Sequence, residues 1–166
     1  MTRLAVTAFL GLPNASIILA SASVARQNIL RSAGLDFDIM PVAVDEAQVR
    51  AGALADDMMP ADIAVLLAFL KAQAASQQLT TAPSATSSAY VIGCDQILIC
   101  EGQIITKPDD ITTAKDQLCA LAGKTHKLLS AIVLLRDGQR IWHHLAESSL
   151  TMRAFDTAFA EAYIRH

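Results

Sequence analysis

Apolar and polar positions follow two rhythms along this chain, and turn residues mark each change from one to the other. Ile17-Ile18-Leu19-Ala20 is a short continuous apolar run, which predicts a buried strand over residues 16–20. A sharp turn leads into a helix predicted over 23–33 and stopped by Gly34. A second strand is predicted over 37–42. Pro60 opens a long helix to residue 79, with Ile63, Leu66, Leu67, Leu70 and Ala74 at helical spacing. The polar run 80–88, with Pro83, reads as a surface loop. Residues 90–100 form an apolar strand, Glu101-Gly102 a turn, and 103–106 another strand. A helix over 109–122 is capped by Asp109 or Asp110 and ended by Gly123. Residues 127–135 and 140–153 read as a hairpin about Asp137-Gly138, and Asp156 caps a last helix. Strands and helices alternate early and strands cluster later, so the predicted fold class is α/β with a mixed sheet.

Composition narrows the function. A chain of 166 residues suits one domain, and 53% hydrophobic with 17% charged residues excludes intrinsic disorder. No apolar run approaches the ~20 residues of a spanning helix. A net charge of −3 argues against nucleic-acid binding by bulk electrostatics. An anionic ligand must therefore be met by a few placed cations. Cys94, Cys100 and Cys119 are odd in number, form no CxxC and have no zinc-like spacing. They read as buried free thiols of a reducing compartment, which points to the cytoplasm. Arg3, the apolar run 4–12 and Ala20-Ser21-Ala22 imitate a secretory signal. Pro13 and Asn14 break that run too early, so residues 1–15 are read as an N-terminal extension.

Several positions could carry chemistry. Ser21-Ala22-Ser23-Val24-Ala25-Arg26 joins strand to helix, where hydroxyls and free amides make a natural anion site. Arg26 shares a helix face with Ile29, Leu30 and Ala33, which turns it towards the protein. The alternative is a simple N-cap with Arg26 flat on the surface. Asp95 shares a strand face with Val91, Ile97 and Ile99, and a carboxylate there needs a compensating cation or metal. A solvent-facing strand edge is its alternative. Gly93 leaves room for a ligand or another backbone. Glu46 follows Asp45 in a predicted loop, either as a magnesium ligand or as a solvated turn. Lys71 borders the apolar stripe of the long helix, and Lys107 is held extended by Pro108. Gly123-Lys124-Thr125 mimics the end of a P-loop, but Leu118 stands where the first glycine is needed. His143 and His144 fall on opposite strand faces and cannot chelate one metal together.

Taken in order, these stretches resemble the Maf family of nucleoside triphosphate pyrophosphatases. The resemblance is carried by Ile17-Ile18-Leu19-Ala20-Ser21-Ala22-Ser23-Val24-Ala25-Arg26, Val44-Asp45-Glu46 and Lys71-Ala72. It continues in Ile92-Gly93-Cys94-Asp95-Gln96, Thr106-Lys107-Pro108 and Gly123-Lys124-Thr125-His126, and covers residues 16–164. It implies one Maf-like domain over 1–166, with an elongated mixed sheet, flanking helices and two lobes around a cleft, similar to inosine-triphosphatase-like enzymes. It implies hydrolysis of a nucleoside triphosphate to monophosphate and pyrophosphate with Mg²⁺ or Mn²⁺. By resemblance, Ser21, Ser23, Arg26, Lys71 and Lys107 hold phosphates, Glu46 and Asp95 serve the metal, and Asp95 accepts the proton. Asp95-Gln96 resembles the branch acting on 7-methyl-GTP, although Gln96 points to the opposite strand face and tunes the site indirectly. A homodimer is the expected assembly.

The sequence also departs from the family pattern. Val24 and Ala25 replace a usual proline and a basic or bulky residue, and Ser130 replaces a threonine. After Tyr163-Ile164 the family continues with a Gly- and Ala-rich loop bearing a glutamine, whereas this chain stops at His166. The alternative expectation is therefore a truncated, catalytically weak nucleotide-binding or regulatory protein, in a family once linked to septum inhibition.

Overall fold

The computed structural model describes residues 16–80 and 89–165. The N-terminal extension read over 1–15 and the loop residues 81–88 lie outside the described residues. In chain order the elements are β1 (Ser16–Leu19), α1 (Val24–Ser32), β2 (Asp38–Ile39), α2 (Glu46–Ala55), α3 (Pro60–Thr80) and β3 (Ala89–Cys100). There follow β4 (Gln103–Ile105), α4 (Ile111–Leu121), β5 (Thr125–Arg136), β6 (Gln139–Thr151) and α5 (Thr157–Ile164). The strands form one sheet in the order β2-β1-β3-β5-β6, with β4 paired to β3. β1 runs parallel to both β2 and β3, while β3 and β4 are antiparallel, so the sheet is mixed.

Local chemistry explains the boundaries. Ser23 is extended (φ −64°, ψ 114°) and caps α1, and Asp110 and Asp156 cap α4 and α5 by accepting from Thr113 N and Phe159 N. Glu101-Gly102 and Asp137-Gly138 each place two successive residues at positive φ (49° and 80°, 51° and 81°). That geometry suits the right-handed twist of the strands they join. Asp137 also ties the hairpin to β3, because its Oδ1 accepts from Ala89 N at 3.1 Å.

The chain divides into two compact units, one formed by residues up to Asp95 with Ala131–His144, the other by Gln96–Ser130 with residues from Leu145 onward. In the first, one sheet face packs Ile17, Leu19, Ile92 and Cys94 against Leu30, Leu35, Phe37, Ile132 and Leu134. By strand alternation Val91, Gly93 and Asp95 face the other way, towards α3. A Cβ at Gly93 would run into Ala68 O and lie 2.8 Å from Ala72 Cβ and 2.9 Å from Ala72 N. Gly93 therefore serves the close approach of another backbone, one of the two uses its position suggested. In the second unit Lys115 of α4 pairs with Glu161 of α5 at 3.5 Å. Arg153 lies over the Phe159 ring at 4.4 Å.

Four expectations are corrected. Residues 46–55 form a helix, α2, rather than part of a loop. The second strand spans only Asp38–Ile39, not 37–42. On α3 the buried face runs through Ile63, Ala64, Leu67, Ala68, Ala72, Ala75 and Ser76, while Leu66, Leu70 and Ala74 are half-buried. The face is rotated towards the small residues because only they allow contact with Gly93. On α1, Ile29 is 69% exposed and Ala33 is exposed, so the helix face they share with Arg26 does not turn inward as a whole.

Candidate active site

The parallel strands β2-β1-β3 put a change of winding direction beside β1, since the chain leaves β1 for β2 on one side and later lays β3 on the other. Open α/β sheets bind ligands outside the carboxyl ends of strands at such a point. Ala20 and Ser21 leave β1 there, and Ala20 N bonds Ile92 O at 2.8 Å, which fixes the end of β1 against β3. Asp95 lies three residues further along β3.

Arg26 is turned inward by specific acceptors. Its Nη1 donates to Ser21 Oγ at 3.2 Å and to Cys94 O at 3.1 Å. Ser21 Oγ also accepts from Ser23 N at 3.3 Å, and Ser23 Oγ accepts from Arg26 N at 3.5 Å. The alternative of Arg26 lying flat on the surface is set aside by these contacts. Ser23 does serve as an N-cap, so its hydroxyl already has a structural partner.

Asp95 is 5% exposed on a strand flanked by β1 and β5 and is not a solvent-facing edge residue. Its Oδ1 accepts from Lys71 Nζ at 2.6 Å. The same ammonium lies 2.7 Å from Glu46 Oε1. Lys71 does not snorkel to solvent: its side chain is 12% exposed, inside the buried face of α3. Glu46 Oε2 in turn lies 3.8 Å from Arg50 Nη2, four residues along α2. Two carboxylates and two cations thus form a chain, Arg50–Glu46–Lys71–Asp95, within the first unit. Burial pushes the Asp95 carboxyl above its usual range; the Lys71 hydrogen bond and charge oppose this, Glu46 adds to it, and Arg26 opposes it weakly. Burial likewise raises the Cys94 thiol, against the pull of Arg26 and Lys71.

Asp45, the acidic neighbour of Glu46, has a structural partner of its own. It is the N-cap of α2, and its Oδ1 accepts from Gln48 N at 2.9 Å. The first unit alone therefore brings together Ser21, Ser23, Arg26, Glu46, Lys71 and Asp95. Gln96 and Lys107 belong to the second unit. There Gln96 Nε2 donates to Ser130 Oγ at 2.7 Å, and Lys107 is exposed in the segment between β4 and α4. Arg50 was not singled out from the sequence, although its i,i+4 spacing from Glu46 on a helix was a readable signal. Among the described residues no group of three or more His, Cys, Asp or Glu could hold a metal ion.

The sequence that builds this site has counterparts among known proteins. A nucleoside triphosphate pyrophosphatase of Paramagnetospirillum magneticum is 42% identical over 147 residues, covering 89% of this chain and 72% of that protein. One of Caulobacter vibrioides is 42% identical over 148 residues, covering 89% and 70%. A 7-methyl-GTP pyrophosphatase of Brucella abortus is 38% identical over 148 residues, covering 89% and 71%. The family model described as Maf-like protein matches residues 16–166, and with relatives this similar over most of its length the chain belongs to the Maf-like protein family.

Proposed function

We propose that this chain hydrolyses a nucleoside triphosphate to the monophosphate and pyrophosphate, removing non-canonical nucleotides. The observation that carries this reading is the convergence of Asp95 Oδ1 and Glu46 Oε1 on one point, held by Lys71 Nζ at 2.6 and 2.7 Å. The relatives' names agree with it. Arg26, donating to Ser21 and to the Cys94 carbonyl, adds a placed cation at the amino end of α1, where phosphate oxygens are favoured.

The donor set fits a divalent ion. Two carboxylate oxygens already meet at a cation, and Mg²⁺ is commonly held by one or two carboxylates with substrate phosphates and water completing its shell. When bound, Mg²⁺ or Mn²⁺ supplies charge that stabilises the transferring phosphoryl group and makes water a better nucleophile. Glu46 and Asp95 would hold that ion, and Asp95 would take the proton from the attacking water. Lys71, Arg26 and Lys107 neutralise phosphate oxygens, and Ser21 and Ser23 orient them. Chemistry of this kind consists mostly of positioning and charge neutralisation. Gln96, held by Ser130, tunes base preference at one remove, and 7-methyl-GTP is the proposed substrate. No helix among the described residues is long and apolar enough to cross a membrane. The free thiols at Cys94, Cys100 and Cys119 favour a reducing cytoplasm as the site of action.

Incubation with 7-methyl-GTP, dTTP and UTP in turn, each with Mg²⁺ or Mn²⁺, tests the reading. Monophosphate and pyrophosphate should appear, fastest from 7-methyl-GTP. Nucleotide binding without pyrophosphate release would favour the regulatory alternative, and a pyrimidine preference would overturn the substrate.

A further inference from the structure

The two oxygens of Glu46 face different cations. Oε1 meets Lys71 Nζ at 2.7 Å, and Oε2 lies 3.8 Å from Arg50 Nη2. The Arg50 side chain is only 19% exposed, and its Nε is buried without a hydrogen-bond acceptor among the described residues. A buried donor left without an acceptor works against folding, and an i,i+4 ion pair at this distance returns little. Stability alone therefore does not account for a guanidinium here. What its guanidinium faces is the Glu46 carboxylate, whose side chain is 44% exposed.

We infer that Arg50 is a positioning residue: it holds Glu46 Oε2 so that Oε1 stays aimed at the point shared with Asp95 when a divalent cation takes the place of the Lys71 ammonium. The inference rests on the metal reading above. An ammonium and a metal ion cannot share that point, because both carboxylate oxygens lie within 2.7 Å of Nζ. Metal entry therefore requires Lys71 to withdraw, and Glu46 then loses its contact with that ammonium. Lys71 stands on α3, whereas Arg50 stands on the same helix as Glu46. Its charge stays with the carboxylate through the exchange. Outer partners of metal ligands orient them, and a weak ion pair such as this one does so with a correspondingly small effect on affinity.

Mn²⁺ alone, titrated into the nucleotide-free full chain and followed by the electron paramagnetic resonance signal of the free ion, tests this. The proteins compared are wild type, Glu46→Gln, Arg50→Met and Arg50→Lys. Arg50→Met keeps the buried stem and removes the charge, and should weaken Mn²⁺ binding by about 2–5-fold, the worth of an ion pair of this kind. Arg50→Lys should recover most of the loss, because an ammonium four residues after Glu46 still pairs with it. Wild-type affinity in Arg50→Met, beside lost binding in Glu46→Gln, overturns the role of Arg50 and leaves the metal site standing. Absent recovery in Arg50→Lys, or lost helical circular dichroism in Arg50→Met, also overturns it by marking the arginine as structural. If wild type fails to bind Mn²⁺, or Glu46→Gln binds it as wild type does, the metal reading falls and this inference with it.

Discussion

Lys71 and Lys107 are assigned the same duty by resemblance, yet their surroundings differ. Lys71 projects from the middle of α3, is 12% exposed, and is bonded to Glu46 and Asp95 within the first unit. Lys107 stands in the second unit, exposed just ahead of Pro108, which restricts its backbone without fixing its side chain. The first lysine is held within the folded structure by two carboxylates, while the second is exposed. Two cations that look equivalent in a motif thus differ in what the fold already asks of them: Lys71 compensates buried charge, and Lys107 stands at the surface.

The strongest test removes the partner that distinguishes them. Asp95→Asn should lower turnover by about 10²–10⁴-fold, the usual range for a lost general base, while Lys71 keeps its contact with Glu46. Steady-state pyrophosphate release measures it, and near-wild-type turnover would remove Asp95 from the chemistry. Lys71→Ala should come next. It leaves Glu46 and Asp95 facing each other and should cost about 3 kcal/mol in urea unfolding, the low end for a broken buried pair because Glu46 is 44% exposed. Gly93→Ala should cost about 1–3 kcal/mol by overpacking against Ala68 and Ala72, and should displace the helix that carries Lys71. Lys107→Ala should change stability by no more than about 0.5 kcal/mol, the loss appearing as a raised KM. Equal destabilisation by Lys71→Ala and Lys107→Ala would break the comparison.

The smallest effect is a pH dependence. The Asp95 carboxyl is raised in the folded chain, chiefly by burial, so between its ordinary and its raised value the native state binds more protons than the unfolded state. Stability contributed by Asp95 is then highest below the ordinary value and falls as pH rises through the raised one. In chelator, the stability of wild type minus that of Asp95→Asn should decline from about pH 4 upward. A difference that rises with pH would reverse the balance between burial and Lys71.

Much of this arrangement was legible in the chain. Periodicity located α1, α3, α4 and the long strands to within a few residues; the cap at Asp156 followed from side-chain chemistry, Asp110 was one of two candidates with Asp109, and Ser23 entered only as the alternative to an anion site. An acid on an apolar strand face pointed to the buried Asp95. Helix α2 escaped because Gly52 and scattered small residues weaken its pattern, and Asp45-Glu46 imitates a turn. Asp45 with Gln48 three residues on was the available start signal. The inward direction of Arg26 was anticipated for an incomplete reason. Ser21 and the carbonyl of Cys94 draw it in, and the latter is 68 residues away along the chain, beyond any local pattern. The bond from Gln96 to Ser130 is equally a product of strand pairing rather than of sequence neighbourhood.

The contact of Ala68 and Ala72 with Gly93 bears on how this protein can vary. None of these three residues has a functional group, yet they set the distance at which Lys71 meets Asp95. A saturation scan scored by lost turnover would mark them beside the charged residues, because almost every replacement adds bulk to a seam that has no space. Variants recovered from such a scan should tolerate little at these positions beyond exchange for the smallest side chains. Compensation should then arise as paired changes, one shrinking α3 where another enlarges β3. The inheritance of this site is thus constrained as much by what those positions lack as by the charges beside them.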